Sequence, residues 1–155
     1  MIGAIAASVI VAAVTLVTAA PAFPQAPPPS SAARFLEVPY VPQSEQLCGG
    51  AAVAMVMRYW GMTGIYAESF APLVDTRQKG IRGEDLISAM TRFGWSASSF
   101  RGDAEVVGRS LEAGRPLIAL IEDRPGRLHY VVIVSWAAGR VVVHDPARRP
   151  FQLHA

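Results

Sequence analysis

The chain has 155 residues, of which 52% are hydrophobic and 17% charged, and its formal net charge is +2 at pH 7. This length is enough for one domain with a single hydrophobic core. Because the arginines are scattered along the sequence, no basic stripe of the kind that binds nucleic acids is indicated. A single cysteine, Cys48, excludes a disulfide bond within the chain.

The first 33 residues carry no charged side chain, and residues 2–20 are almost wholly apolar. Such a run, followed by Ala-Pro-Ala at positions 20–22, is typical of an export signal, although the basic residues that usually precede it are missing. About 20 apolar residues also suffice to span a membrane. The expected location is therefore periplasmic or extracellular, with the protein released or anchored by this segment. The expected organisation is a signal peptide or membrane anchor at residues 1–22, a Pro-rich linker at 23–34 and the folded domain at 35–155.

Helical periodicity dominates the first part of the domain. After an extended segment with two prolines, the pattern from Cys48 onward predicts a helix that ends near Gly61. A second short helix is predicted near Tyr66–Val74, and a fourth helix is predicted from an N-cap at Asp103 to Gly114. The third, before Gly94, has its apolar face formed by Leu86, Ile87, Met90 and Phe93.

After Pro116 the pattern changes to strands, in the sequences LIALIE, HYVVIVSW and RVVVHDP. The near-continuous apolar runs of the first two predict strands that are buried on both faces. A three-residue loop, Ala137–Gly139, separates the last two and favours a hairpin. The order of these elements indicates an α+β domain in which N-terminal helices pack on a C-terminal antiparallel sheet.

Cys48 is an unpaired thiol at the start of a predicted helix. It is therefore a buried small hydrophobe, a link to another chain, or a reactive thiol. A helix N-terminus favours the last of these, because its unpaired N–H groups and partial positive charge lower the pKa of a thiol. A reactive thiol also needs a base and a third group that orients the base.

Three histidines are candidates for that base: His129, His144 and His154. If Ala137–Gly139 is the whole hairpin loop, Asp145 lies on the same face as His129 and one diagonal away, within reach of a longer side chain. His144 is adjacent to Asp145 and points to the other face. His154 is the penultimate residue, where chains are rarely held in place. The sequence therefore favours a pair formed by His129 and Asp145.

The sequence VPYVPQSEQLCGGAAVAMVMRYWG resembles the N-terminal signature of the C39 peptidases, papain-like cysteine peptidases that trim double-glycine leader peptides from bacteriocins. That signature has a glutamine ahead of Cys-Gly and then an apolar helix that ends in an aromatic–Gly pair. The sequences LHYVVIVSW and VVVHDPA are similar to the His-containing strand and the Asp-Pro turn of the family. The resemblance covers about residues 37–147 and implies a papain-like cysteine peptidase fold.

The resemblance also implies roles for four residues. Cys48 would be the nucleophile, His129 the general base and acid, and Asp145 the group that orients His129. Gln43 would donate its side-chain amide to an oxyanion hole shared with the Cys48 backbone N–H. In papain-like sites the glutamine usually lies one residue further from the cysteine than Gln43 does, and Gln46 is closer still. We prefer Gln43 because it directly follows the Val-Pro-x-x-Pro segment.

The function that follows from this resemblance is a cysteine peptidase that cleaves an extended peptide, after small residues such as Gly-Gly. We expect a narrow groove beside Gly49 and Gly50 to select such residues. Two other functions stay open: a non-catalytic peptide-binding module of the same fold, and a papain-like amidase or acyltransferase. The expected partner is a peptide or protein substrate; no cofactor, metal or nucleic acid is expected, and we expect a monomer.

Overall fold

A computed structural model describes residues 34–137 and 139–154 of the chain. The signal peptide or anchor predicted at 1–22 lies outside the described residues, as does all of the predicted linker except Arg34. In the part that is described, no helix is both long and apolar enough to cross a membrane. The elements are helix α1 (Cys48–Tyr59), a 3-10 helix (Ala67–Leu73), helices α2 (Gly83–Arg92) and α3 (Ala104–Glu112), and strands β1 (Leu117–Arg124), β2 (Arg127–Ala137), β3 (Arg140–Asp145) and β4 (Arg149–His154).

Helix α1 is the central helix of the domain. All of its residues from Gly49 to Met57 are buried, and it packs against strand β2 and the 3-10 helix. The predicted end at Gly61 is confirmed, with a left-handed φ of 91° that glycine adopts without steric cost. Two hydrogen bonds close this end, from Gly61 N–H to the Arg58 carbonyl and from Met62 N–H to the Met57 carbonyl.

Helices α2 and α3 have the predicted positions. The buried face of α2 contains Leu86 and Met90, as expected, but Phe93 is 45% exposed and contacts Phe70 edge-on at the rim of the core. The predicted N-cap of α3 is confirmed, because the Asp103 carboxylate accepts a hydrogen bond of 2.8 Å from the Val106 N–H.

The four strands form one antiparallel sheet in the order β1-β2-β3-β4, so the α+β prediction is confirmed. Strand β2 is buried on both faces from His129 to Ser135, as predicted. Strand β1 is not, because it lies at an edge of the sheet and its second half alternates between half-buried and exposed side chains. The fourth strand, β4, was not predicted from the sequence pattern.

The hairpin between β2 and β3 differs from the prediction near its turn and agrees with it near the candidate site. Ala137 pairs with Arg140, so the loop has two residues instead of three. The register then shifts by one residue at Val134, after which Val132 pairs with His144. This bulge restores the predicted register, which places Asp145 one diagonal from His129. The Val134 carbonyl accepts a hydrogen bond of 2.9 Å from the Leu36 N–H, which ties the N-terminal segment to the sheet.

Candidate active site

Cys48 is the first residue of α1. The residue before it, Leu47, provides no side-chain cap, and the first turn of the helix contains no acidic residue. The N-terminal N–H groups and their partial positive charge are therefore not neutralised by the helix itself. The Cys48 side chain is partly exposed, which leaves the thiol at the positive end of a buried helix and open to solvent.

His129 lies near the start of β2, with 2% of its surface exposed. Its Nε2 lies 2.7 Å from Oδ1 of Asp145, and its interaction with Cys48 lowers the pKa of the thiol. With Nε2 engaged by the carboxylate, Nδ1 is the ring nitrogen that remains for the thiol. The structure thus brings the predicted thiol, imidazole and carboxylate together in one row.

Asp145 is the last residue of β3 and is fully buried. Its Oδ1 also accepts a 2.9 Å hydrogen bond from the Ala147 N–H, and its Oδ2 pairs with the Arg148 guanidinium. The Asp145 carbonyl accepts a hydrogen bond of 3.1 Å from the Tyr40 hydroxyl. Both ends of the residue are therefore held, so the carboxylate has little freedom to turn away from His129.

The electrostatics of the three groups favour a thiolate–imidazolium pair. Burial alone would raise the pKa of the Cys48 thiol, but hydrogen bonds from the His129 side chain and the Tyr130 backbone N–H, together with the charge of His129, lower it below its usual value. The pKa of His129 is raised, first by its hydrogen bond with Cys48, against burial, and then by Asp145. Burial would raise the pKa of Asp145, but its hydrogen bonds hold it below the usual range.

Gln43 lies beside the Asp-Pro turn, because its N–H donates a 3.0 Å hydrogen bond to the Pro146 carbonyl. Its Oε1 is buried and has no hydrogen-bond partner among the described residues. Gln46 differs: it has a left-handed φ of 64° in the turn just before α1. The candidate oxyanion donors are therefore the peptide N–H of Cys48 and the side-chain amide of either Gln43 or Gln46.

The other two histidines lie elsewhere on the sheet. His144 is buried on the opposite face of β3, as strand alternation predicts, and its ring packs edge-on against Tyr40 and Phe151, with centroid distances of 5.9 and 4.8 Å. Neither ring nitrogen has a hydrogen-bond partner among the described residues, and burial lowers the pKa of His144. His154 lies in β4, the edge strand that β3 separates from β2.

The two glycines after Cys48 serve packing and do not line an open groove. A Cβ at Gly49 would lie 2.8 Å from Leu86 Cδ1, and one at Gly50 would lie 2.8 Å from the Ala67 carbonyl oxygen. Both positions are therefore filled by the protein's own core. Our expectation that Gly49 and Gly50 define a narrow substrate groove is not supported by this geometry.

Two charged residues beside the site, Arg148 and Asp123, were not predicted from the sequence. Arg148 pairs with Asp145, and Asp123 on β1 pairs with the same arginine. The position of Arg148, three residues after Asp145 in a turn, was a signal for the first contact. No local pattern indicated Asp123. Within residues 34–137 and 139–154, no group of three His, Cys, Asp or Glu side chains could hold a metal ion.

The family model described as "Peptidase C39 family" matches residues 37–155. A curated relative, the lactococcin-G-processing and transport ATP-binding protein LagD of Lactococcus lactis subsp. lactis, is 27% identical over 106 residues, or 68% of this chain. The chain spans only 15% of the length of that protein.

Three solved structures share the fold. The peptidase domain of Streptococcus ComA, a bifunctional ABC transporter, has a TM-score of 0.61 and 20% identity, covering 74% of this chain and 84% of that domain. A protein from Bacillus anthracis described as a C39-like peptidase has a TM-score of 0.60 and 18% identity, covering 79% and 88%. A double glycine motif protease from an AMS/PCAT transporter, solved with a leader peptide, has a TM-score of 0.56 and 21% identity, covering 74% and 78%. The predicted papain-like peptidase fold is therefore confirmed.

Proposed function

Since the chain belongs to the peptidase C39 family and is a cysteine peptidase, we propose that it hydrolyses extended peptides through a triad of Cys48, His129 and Asp145. The observation that carries this proposal is the His129 ring, whose Nε2 lies 2.7 Å from Oδ1 of the buried Asp145 and which shifts the pKa of the Cys48 thiol downward while its own pKa rises. This is the arrangement that nucleophilic catalysis by a thiol requires.

In the proposed reaction, the Cys48 thiolate attacks the scissile carbonyl carbon and forms a tetrahedral intermediate. The negative charge on its oxygen is stabilised by the Cys48 backbone N–H and the amide of Gln43. His129 then gives its proton to the leaving amine, and a thioester with Cys48 remains. A water molecule, deprotonated by His129, hydrolyses the thioester and restores the thiol. Asp145 keeps the imidazole oriented and stabilises its charged form throughout.

We propose that cleavage follows small residues, with Gly-Gly as the leading candidate. The support comes from relatives: one similar structure is a double glycine motif protease with a leader peptide, and LagD is a lactococcin-G-processing protein. The resemblance to LagD is confined to a part of that protein, so its transport function is not carried over. The packing around Gly49 and Gly50 adds no support for this preference.

A peptide-library digest with the purified protein tests the peptidase proposal, and Cys48→Ala provides the matched blank. We expect cleavage products whose new C-termini are enriched in Gly-Gly, all absent with Cys48→Ala. Adding hydroxylamine separates hydrolysis from acyl transfer, since a transferase would convert most product to the hydroxamate. No cleavage of any peptide by a folded protein would refute the proposal.

We also propose that the chain is exported, with residues 1–22 cleaved or retained as an anchor. The support is the absence of charge in residues 1–33 and their long apolar run. Fractionation of cells that express a C-terminally tagged copy, with N-terminal sequencing, tests this. A soluble cytoplasmic pool with an intact N-terminus would contradict it.

A further inference from the structure

The Asp145 carboxylate has a different partner on each oxygen. Oδ1 accepts from His129 Nε2 at 2.7 Å and from the Ala147 N–H at 2.9 Å, whereas Oδ2 pairs with Nη1 of Arg148. Because the residue is fully buried, no water competes for these positions. The Arg148 contact therefore helps to decide which oxygen faces His129, and it opposes rotation of the carboxylate.

Arg148 is held in turn by a second carboxylate. Its other terminal nitrogen, Nη2, pairs with Oδ1 of Asp123, whose side chain is only 7% exposed, against 40% for Arg148. A guanidinium is planar and presents its donors in a fixed fork. Contact with Asp145 on one side and Asp123 on the other thus fixes the plane of the group. One cation lies between two anions, so no unpaired positive charge is left beside His129.

The contacts from Asp145 through Arg148 to Asp123 form a bridge, and this bridge joins two separate parts of the fold around the strand that carries His129. Arg148 lies in the turn after β3, where its N–H donates a 3.1 Å hydrogen bond to the Asp145 carbonyl. Asp123 lies at a shift in register near the end of β1. Strand β2, with His129, lies between β1 and β3. The bridge therefore spans His129 from one neighbouring strand to the other.

We propose that Arg148, anchored by Asp123, is a positioning residue that keeps the Asp145 carboxylate turned toward His129, and through it keeps His129 turned toward Cys48. The kinetic consequences of this inference rest on the proposed peptidase function. The effect of Arg148 on the Cys48–His129 pair does not rest on that function, because the pH dependence of Cys48 alkylation can be measured without any substrate.

The charges of the bridge have effects of opposite sign. A cation favours the less protonated form of its neighbours, so Arg148→Met raises the pKa values of the Cys48–His129 pair. Asp123→Asn removes an anion and lowers them. Arg148→Lys keeps the charge, and the pKa values stay near those of the wild type, but an ammonium cannot reproduce the fork.

Other polar and charged groups near the bridge do not change the sign of these shifts. Arg124 and Arg127 each have Nε 3.9 Å from Oδ2 of Asp123, and both are largely exposed. From the N-terminal segment, the Tyr40 hydroxyl contacts the carbonyl of Asp145. In Arg148→Met these contacts are kept, and in Asp123→Asn the two arginines lose their anion, which lowers the same pKa values further.

The experiment measures two quantities on the full chain: kcat/KM against pH for a peptide that the wild type cleaves, and the pH midpoint of Cys48 alkylation by iodoacetamide. For Arg148→Met we expect kcat/KM to fall about tenfold to a hundredfold, the loss that a displaced catalytic group produces. We expect the alkylation midpoint to rise in Arg148→Met and to fall in Asp123→Asn. In Arg148→Lys we expect the midpoint to stay near that of the wild type while kcat/KM falls. Arg149→Met is the matched control, because Arg149 is exposed and forms no ion pair within the described part of the chain.

Equal rates and equal midpoints for Arg148→Met and Arg149→Met would overturn the inference. If Arg148→Met does not fold, Arg148→Lys and Asp123→Asn decide in its place: wild-type kcat/KM in both, with unshifted midpoints, overturns it. If the wild type cleaves no peptide, the midpoints alone decide. A rise for Arg148→Met and a fall for Asp123→Asn would then show that the bridge acts on the Cys48–His129 pair while the peptidase proposal fails.

Discussion

Replacement of Gly50 by alanine tests how α1 is seated in the core. A methyl group at Gly50 would lie 2.8 Å from the Ala67 carbonyl oxygen and 2.9 Å from Phe70 Cβ. Neither atom can move by a side-chain rotation alone, because one belongs to the backbone and the other is attached to it. The 3-10 helix that carries both residues must therefore shift as a unit to accept the methyl group.

Two effects of opposite sign decide the stability of Gly50→Ala. Alanine is more favourable than glycine inside a helix by about 1 kcal/mol, whereas overpacking a close-packed core costs about 1–3 kcal/mol. Since both contacts are with rigid atoms, we take the upper half of that range and expect a net loss of about 1–2 kcal/mol. Gly108 in α3 is the control, because a Cβ there meets nothing within 4 Å. We expect Gly108→Ala to gain up to about 1 kcal/mol.

Urea unfolding, followed by tryptophan fluorescence, measures both free energies of unfolding, and an unchanged m-value shows that the comparison is sound. The two Gly→Ala changes are chemically identical, so any difference between them reports the surroundings. If Gly50→Ala were as stable as Gly108→Ala, the close packing of α1 on the 3-10 helix would be refuted.

Three predictions concern the candidate catalytic residues. Alkylation of Cys48 should reach its midpoint below about pH 8.5, the pKa of free cysteine, and the midpoint should rise in His129→Ala because fewer interactions then oppose the effect of burial on the thiol pKa. An unchanged midpoint in His129→Ala would show that His129 does not influence the thiol. Cys48→Ala and His129→Ala should each abolish turnover in the peptide assay, with little added in the double variant and a smaller loss in Asp145→Asn; multiplying losses would show that the groups act independently. Gln43→Ala should lower kcat by about a hundredfold or more, with Gln46→Ala near wild type, and the reverse result would move the oxyanion role to Gln46.

The sequence by itself was enough to predict the helices and the members of the candidate site. The N-cap at Asp103 and the glycine at position 61 were predictable because capping depends on residues only a few positions apart. A lone Cys48 at a helix start and one histidine on the same strand face as Asp145 left few combinations of thiol and base. The caps depend on short spacing, which the sequence carries directly, whereas the pairing of His129 with Asp145 depended on a hairpin register that holds only because a bulge offsets the shorter loop.

The tertiary structure decided the rest. The bulge at Val134 offsets the register difference that the shorter loop introduces, and at this position the Val134 carbonyl accepts a hydrogen bond from the Leu36 N–H. The contact between Arg148 and Asp123 and the close seating of Gly50 also join residues far apart in the chain. Such contacts depend on which surfaces meet after the helices and strands pack, and local sequence periodicity does not specify these long-range contacts. For this reason the sequence indicated the three side chains of the candidate site but not the bridge that holds the carboxylate among them.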